Sequence, residues 1–265
     1  MMTRKLWILG LVCGAVWAEK INVPLSDPSR PALVKAGTIN GSITVLTHAG
    51  KDVIVEIGGA SGVAEKPAPN GMRQIMGGSS GMSVEEDGNF VKISTSAQSK
   101  NSDLQIWVPV KTSLNLRGVN GKGINVENVE GDIDVDSVNG SVNLKDVSGT
   151  VVAHALNGKL TVSLRQVSRD KPMSFSTLNG TVDVTLPANL AANVKVRNDW
   201  GKVYTDFEMA VTSESEVKRE QSGQGRPRYR VQVDKTIIGK INGGGPEITF
   251  RSMNGSIYIR KAGAR

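Results

Sequence analysis

Between residues 131 and 157 the chain reads GDIDVDSVN, GSVNLKDVS and GTVVAHALN, three consecutive nine-residue units. With the first residue of a unit counted as position 0, apolar residues fall at +2, +4 and +7: Ile133, Val135 and Val138; Val142, Leu144 and Val147; Val151, Ala153 and Leu156. The same register holds upstream in TSLNLRGVN, with Leu114, Leu116 and Val119, and in a ten-residue unit carrying Ile124, Val126 and Val129. It returns in KPMSFSTLN, GTVDV, PEITFRSMN and GSIYI, and an early pair flanks Asn40-Gly41. Self-similarity at a fixed period over most of a chain is the signature of a repeat architecture.

Alternation at +2 and +4 is the period of a half-buried strand, and glycine with small polar residues at each boundary makes a corner. The boundaries alternate in character: Asn120-Gly121, Glu130-Gly131, Asn139-Gly140, Ser148-Gly149, Asn157-Gly158. The true period is therefore two units, about 18 residues, with asparagine-glycine at every second corner. That period predicts an all-β parallel solenoid, two nine-residue halves per coil, with successive coils about 4.8 Å apart. Parallel crossovers are almost always right-handed, so a right-handed β-helix-like coil is expected. Asn-Gly between apolar strands is also a strong hairpin signal. An antiparallel meander would reverse strand direction at every turn, whereas these units keep one internal order.

The leader sets the compartment. Arg4 and Lys5 precede an apolar run from Leu6 to Val16, and Val16-Trp17-Ala18 has the pattern of a cleavage site. Residues 1–18 read as a secretory signal peptide, and 19–265 as one domain. The run is too short to span a bilayer, which takes roughly 20 residues, and no transmembrane segment is expected in the mature chain. The single cysteine, Cys13, lies in the leader, so 19–265 has no disulfide or thiol chemistry. An exported protein follows, periplasmic, cell-surface or secreted. A formal net charge of +7 is too mild to argue for nucleic acid. It is unevenly spread, because residues 217–265 hold 11 basic and 3 acidic side chains.

Two interruptions break the repeat. A glycine-rich stretch near 58–83 fits no regular element, and it is followed by SVEEDGNFVKIST, which reads as a hairpin around Asp87-Gly88. A polar stretch near 208–230 is expected to be a second loop-rich insertion on the same domain.

The segments 129–164, 171–190 and 239–261, with GMRQIMGG and SVEEDGNFVKIS upstream, resemble the bacterial putative-adhesin family of β-strand-repeat proteins. That family is built on a domain of unknown function and is similar to the head GIN adhesin-like domains. The resemblance covers nearly all of 19–265. It implies an exported protein with an architecture similar to right-handed β-helices, and it carries no catalytic residues.

Candidate chemistry is sparse. Gly77-Gly78-Ser79-Ser80-Gly81 fits the serine hydrolase pattern G-x-S-x-G, but that motif works only on a strained strand-to-helix turn and here falls in a glycine-serine loop. Asp132, Asp134 and Asp136 alternate along one strand, and a flat strand cannot curl six oxygens around calcium. No metal or cofactor is expected. The coil period stacks Arg117, Asp136 and His154 in one column and sets Glu127 beside Lys145. Trp107 and Tyr204 could stack on sugars or pack within the strands. Lys218, Arg219, Arg226, Arg228, Tyr229 and Arg230 form a basic cluster that could draw an anionic partner.

These readings favour a non-enzymatic, adhesin-like interaction or structural scaffold whose partner is a cell-envelope protein or an anionic glycan. A polysaccharide-active β-helix enzyme is one alternative, with Asp132, Asp134, Asp136, Arg117 and His154 as its only acid-base material. An envelope signalling partner, binding through the basic C-terminal coils, is the other.

Overall fold

The structure, a computed structural model, describes residues 20–58, 82–95, 102–222 and 228–263, and within 212–235 the course of the backbone alone. The leader and the glycine-rich stretch with its G-x-S-x-G motif lie outside the described residues. The strands, in chain order, are β1 (Lys20–Pro24), β2 (Ala32–Asn40), β3 (Ile43–His48), β4 (Asp52–Gly58), β5 (Met82–Asp87), β6 (Phe90–Thr95), β7 (Asp103–Pro109), β8 (Thr112–Glu127) and β9 (Glu130–Asn157). They continue as β10 (Leu160–Val167), β11 (Met173–Asn179), β12 (Val182–Leu186), β13 (Ala192–Asn198), β14 (Val203–Thr205), β15 (Ala210–Ser222), β16 (Arg228–Ile241), β17 (Glu247–Asn254) and β18 (Ile257–Lys261). The described residues are all-β with no helix, and their one hydrogen-bonded sheet does not close on itself.

Each nine-residue unit is a strand, and long strands such as β9 run through a corner and serve both faces of the stack. Pairing between units is parallel and keeps their internal order: Leu114 lies beside Ile133, Ile124 beside Val142, Leu160 beside Val142, and Val182 beside Leu160. The 18-residue period from Ile124 to Leu160 lengthens to 22 at the next step, where Ser174 lies beside Val152. Residues 168–172 make up that difference in the connecting turn.

The order of units along the stack departs from the order in the sequence at both ends. The pair β2/β3 sits between β6/β7 on one side and β8 on the other, all parallel. At the far end β17/β18 sits between β11/β12 and β13/β14, again all parallel. The chain therefore lays down β11/β12, moves forward two places to build β13/β14, and returns to fill the gap with its last strands. Along the stack the rungs run β6/β7, β2/β3, β8, first half of β9, second half of β9 with β10, β11/β12, β17/β18 and β13/β14. Antiparallel strands then cover the ends: β5 on β6, β4 on β7 with β1 beyond, and β16 on β13 with β15 beyond.

The +2 and +4 side chains meet between the two faces in one core, as the periodicity requires. Phe175 and Phe250, both fully buried, stack across the inserted rung with ring centroids 5.4 Å apart. The hairpin at Asp87-Gly88 forms between β5 and β6, and Gly88 and Asn89 both take positive φ, 57° and 71°. Two positive φ values in sequence match the twist that a tight hairpin demands.

One expectation needs correction, and the +7 positions divide in two. The polar stretch near 208–230 is not a loop over most of its length. Residues 210–222 and 228–241 form an antiparallel ribbon in register from Ala210 opposite Lys240 to Ser222 opposite Arg228. Val211, Val217, Val231, Val233 and Ile237 supply the strand-forming residues, which the surrounding charge obscured. The +7 residues, in turn, are not uniformly core. Val129 and Val147 are buried, while Val119, Val138 and Met253, at asparagine-glycine corners, are exposed.

Candidate functional site

The asparagine-glycine corner explains why half of the +7 residues face outward. One position earlier, at +6, a small side chain turns inward instead: Thr38, Ser137, Ala155, Thr177 and Ser252 are all buried. Three of these hydroxyls donate to glycine carbonyls at the corners, Ser137 to Gly140 (2.9 Å), Thr177 to Gly158 (3.2 Å) and Ser252 to Gly180 (3.4 Å). A buried hydroxyl is tolerated there because it has an acceptor. The +7 side chains then turn outward, and the register aligns Ile39, Val119, Val138, Leu156, Leu178 and Met253 along one edge, exposed except for the half-buried Leu156 and Leu178. In the last rung Asp199 follows Asn198, the partner of Ser252, and the next residue, Trp200, is 79% exposed and donates its backbone N–H to the Met253 carbonyl (3.0 Å).

Beside this column runs an amide ladder. The Nδ2 of Asn254 donates to Oδ1 of Asn179 (2.9 Å), Asn179 to Asn157 (2.8 Å), Asn157 to Asn139 (3.0 Å) and Asn139 to Asn120 (2.9 Å). An amide is both donor and acceptor, so each inner asparagine accepts from one neighbour and donates to the next. The glycine after each asparagine is needed for space. A Cβ at Gly121, Gly158, Gly180 or Gly255 would fall on the carbonyl oxygen of the glycine in the neighbouring rung.

The charged columns are in register. Arg117 lies beside Asp136 with its Nε 3.6 Å from the carboxylate, and Glu127 lies beside Lys145. His154 shares a hydrogen bond of 2.7 Å with Ser176 in the next rung. Lys171 takes Asp132 at 2.7 Å, and Asn115 donates to Asp134 at 2.9 Å. Every member of the acid-base set thus has a neighbour of its own, so the set does not converge on one point. No group of three or more metal-ligating side chains gathers among the described residues.

Asp134 on that strand has a displaced acidity. Partial burial, with the Asp136 carboxylate adding to it, holds its carboxyl above the ordinary value, and Arg117 opposes the shift. It lines a concavity of about 570 Å³ with Leu33, Phe90, Asn115 and Val152. A raised folded value means that the proton is held more tightly in the fold than in the unfolded chain. This contribution to stability is complete below the unfolded value and is lost as pH rises through the folded one. Asp134→Asn, which keeps the shape and removes the ionisation, is expected to raise the melting temperature at pH 7 relative to the parent. The difference should vanish at pH 3, as thermal denaturation at both pH values would reveal.

The remaining sequence candidates fall in three places. Trp107 receives the Lys20 ammonium over its ring at 5.0 Å. Tyr204 stacks on Tyr258 of the adjacent rung at 5.1 Å, and the Arg260 guanidinium covers Tyr258 while pairing with Asp183 at 2.7 Å. The basic cluster lies towards the tip of the β15–β16 ribbon, with Lys218 opposite Gln232, Arg219 opposite Val231, Glu220 opposite Arg230 and Gln221 opposite Tyr229. Arg226 lies outside the described residues. Missing from the sequence reading were the exposed apolar column and the amide ladder; the small residue at +6 was the available signal for the first, and the recurrence of asparagine at +8 for the second.

No family model matches the chain, and no curated protein does. Among solved structures it is similar to a putative cell adhesion protein from Clostridium sporogenes, at 13% identity over 92% of this chain and 100% of that one, with a TM-score of 0.42. It is also similar to a putative adhesin from Bacteroides fragilis, at 16% identity over 93% of this chain and 98% of that one, with a TM-score of 0.35.

Proposed function

We propose that the chain is an exported, non-enzymatic parallel β-solenoid that acts as an adhesin-like interaction scaffold of the cell envelope. Its partner is a cell-envelope protein or an anionic glycan. The observation that carries this reading is the in-register stack itself. Eight parallel rungs at about 4.8 Å spacing give a flank about 34 Å long, with one edge lined by exposed and half-buried apolar side chains beside the amide ladder. Exposed apolar side chains in a continuous row mark interaction surfaces in soluble proteins. Export rests on the leader pattern of residues 1–18.

A polysaccharide-active enzyme has one observation in its favour, the raised carboxyl of Asp134 in its concavity. One experiment separates the two readings. Tagged residues 19–265 are cross-linked to native envelope fragments at low and high salt, and both captured proteins and glycans are sized. The scaffold reading expects capture with glycan chains of unchanged length. Shortened glycan would contradict it and point to Asp134.

A further inference from the structure

The out-of-order rung leaves a second concavity, on the edge away from the asparagine ladder. After β12 the chain must skip a place, and it does so through residues 187–191; after β16 it must come back, through residues 242–246. The turn after β10 lies alongside. These three connections surround a cavity of about 730 Å³ lined by Arg165, Ser168, Arg169, Asn189 and Gly244 among others. Open α/β sheets bind ligands where strand order reverses, because neighbouring connections leave in opposite directions and part there. The same geometry arises here from strands alone.

The walls are tied in place. Asn242 Nδ2 donates to the Leu190 carbonyl (2.7 Å), Asn193 Nδ2 to the Gly245 carbonyl (2.5 Å), and the Gly244 N–H to the Ile241 carbonyl (3.0 Å). Asn242, Gly243 and Gly244 take φ of 47°, 83° and 91°, so the returning connection has a specific, tightly curled shape. Arg165 and Arg169, in contrast, are exposed and have no hydrogen-bond or ion-pair partner among the described residues. On the flanks Arg117 pairs with Asp136, Lys171 with Asp132 and Arg260 with Asp183, whereas these two guanidinium groups at the mouth of one cavity pair with no carboxylate among the described residues. Two carboxylates adjoin the lining residues in the chain: Asp170, next to Arg169, and Glu247, which follows Pro246 and accepts from Thr249 at 3.3 Å.

We propose that this cavity binds an acidic saccharide unit, its carboxylate or phosphate held by Arg165 and Arg169. A guanidinium presents its donors in a planar fork that matches such an anion in two places at once. The volume exceeds what a bare ion needs and lies in the range of small-ligand sites. Side-chain amide and hydroxyl groups at Asn189 and Ser168 supply the mixed donors and acceptors that sugar hydroxyls require. The proposal rests on the scaffold reading above and deepens it by placing the anionic glycan at a site distinct from the basic ribbon.

Calorimetric titration of residues 19–265 tests it with four probes: a galacturonate trimer, a galactose trimer, a short glycerol phosphate polymer and inorganic phosphate. Binding of the galacturonate trimer or the phosphate polymer is expected, weakened at least about tenfold in Arg165→Gln/Arg169→Gln, since a hydrogen bond to a charged group is worth more than one decade of affinity. Which of the two binds more tightly identifies the anion. The galactose trimer should not bind, and inorganic phosphate should compete weakly. A variant in which Lys218, Arg219, Arg228 and Arg230 are all glutamine should bind as the parent does. Equal binding of the neutral trimer, unchanged affinity in the double variant, or no binding of either acidic polymer overturns the proposal. Envelope capture that survives in the double variant while the probes fail would sink the cavity assignment alone and leave the scaffold reading standing.

Discussion

A chain ending at Pro246 is expected to lose the folded structure of its C-terminal third, although only 19 residues are missing. If the last strands formed the end of a simple stack, their removal would strip one rung and expose a new edge. They lie instead between β11/β12 and β13/β14, so removing them leaves two facing edges unpaired and β13/β14 detached. Ile248, Phe250, Ile257 and Ile259 are fully buried. Burying four such side chains contributes roughly 6–12 kcal/mol, comparable to the whole stability of an ordinary domain. Limited trypsin digestion would read this directly. Cleavage at Lys195, Arg197 and Lys202 should become rapid in the shortened chain, while the β8–β10 region stays resistant. Protection of 192–205 equal to the full chain would contradict the inserted rung.

Gly180→Ala should destabilise the protein by about 3 kcal/mol, at the upper end of the cost of overpacking. Gly180 does not have the positive φ that excludes a side chain, so its requirement is purely one of space: an added Cβ would fall on the Gly158 carbonyl oxygen. The neighbour is backbone within a hydrogen-bonded rung and cannot swing aside as a flexible side chain would. Gly243→Ala is the contrasting case. Its φ is 83° with no atom within 4 Å of the added carbon, so only the left-handed backbone is penalised, by about 1–2 kcal/mol. Urea denaturation of the two variants should therefore rank Gly180→Ala as the more damaging. A Gly180→Ala protein as stable as the parent would mean that the rungs do not approach closely at this corner.

The repeat made the local structure legible. Inward positions +2 and +4, the parallel order of units and the Arg117–Asp136 column all follow from the nine-residue register and are found in the structure. The hairpin at Asp87-Gly88 was readable from its turn residues for the same reason. What the repeat could not reveal is which units become neighbours. Every unit presents the same apolar pair inward and the same backbone edge outward, so β17 fits beside β11 as well as β13 does, and only the intervening chain decides. The cavity at 187–191 and 242–246 was invisible for that reason, since it exists only because the order is broken. The β15–β16 ribbon was missed on different grounds. Its alternating valines are interleaved with glutamate, lysine and arginine, and polarity masked the period of two.

The inserted rung is the central claim, and paired cysteines test it most directly because residues 19–265 contain none. Thr249 lies beside Ser174 on one side and beside Lys195 on the other. Neighbouring Cα atoms in adjacent strands are about 4.8 Å apart, within the span that a disulfide bridges, whereas residues two strands apart are at about 9.6 Å and beyond it. Mild oxidation followed by mass analysis of peptides should therefore link Ser174→Cys to Thr249→Cys, and Thr249→Cys to Lys195→Cys, and leave Ser174→Cys/Lys195→Cys reduced. Ready formation of the 174–195 link, with the two 249 pairs unbridged, would place the rungs in simple sequence order and contradict the account.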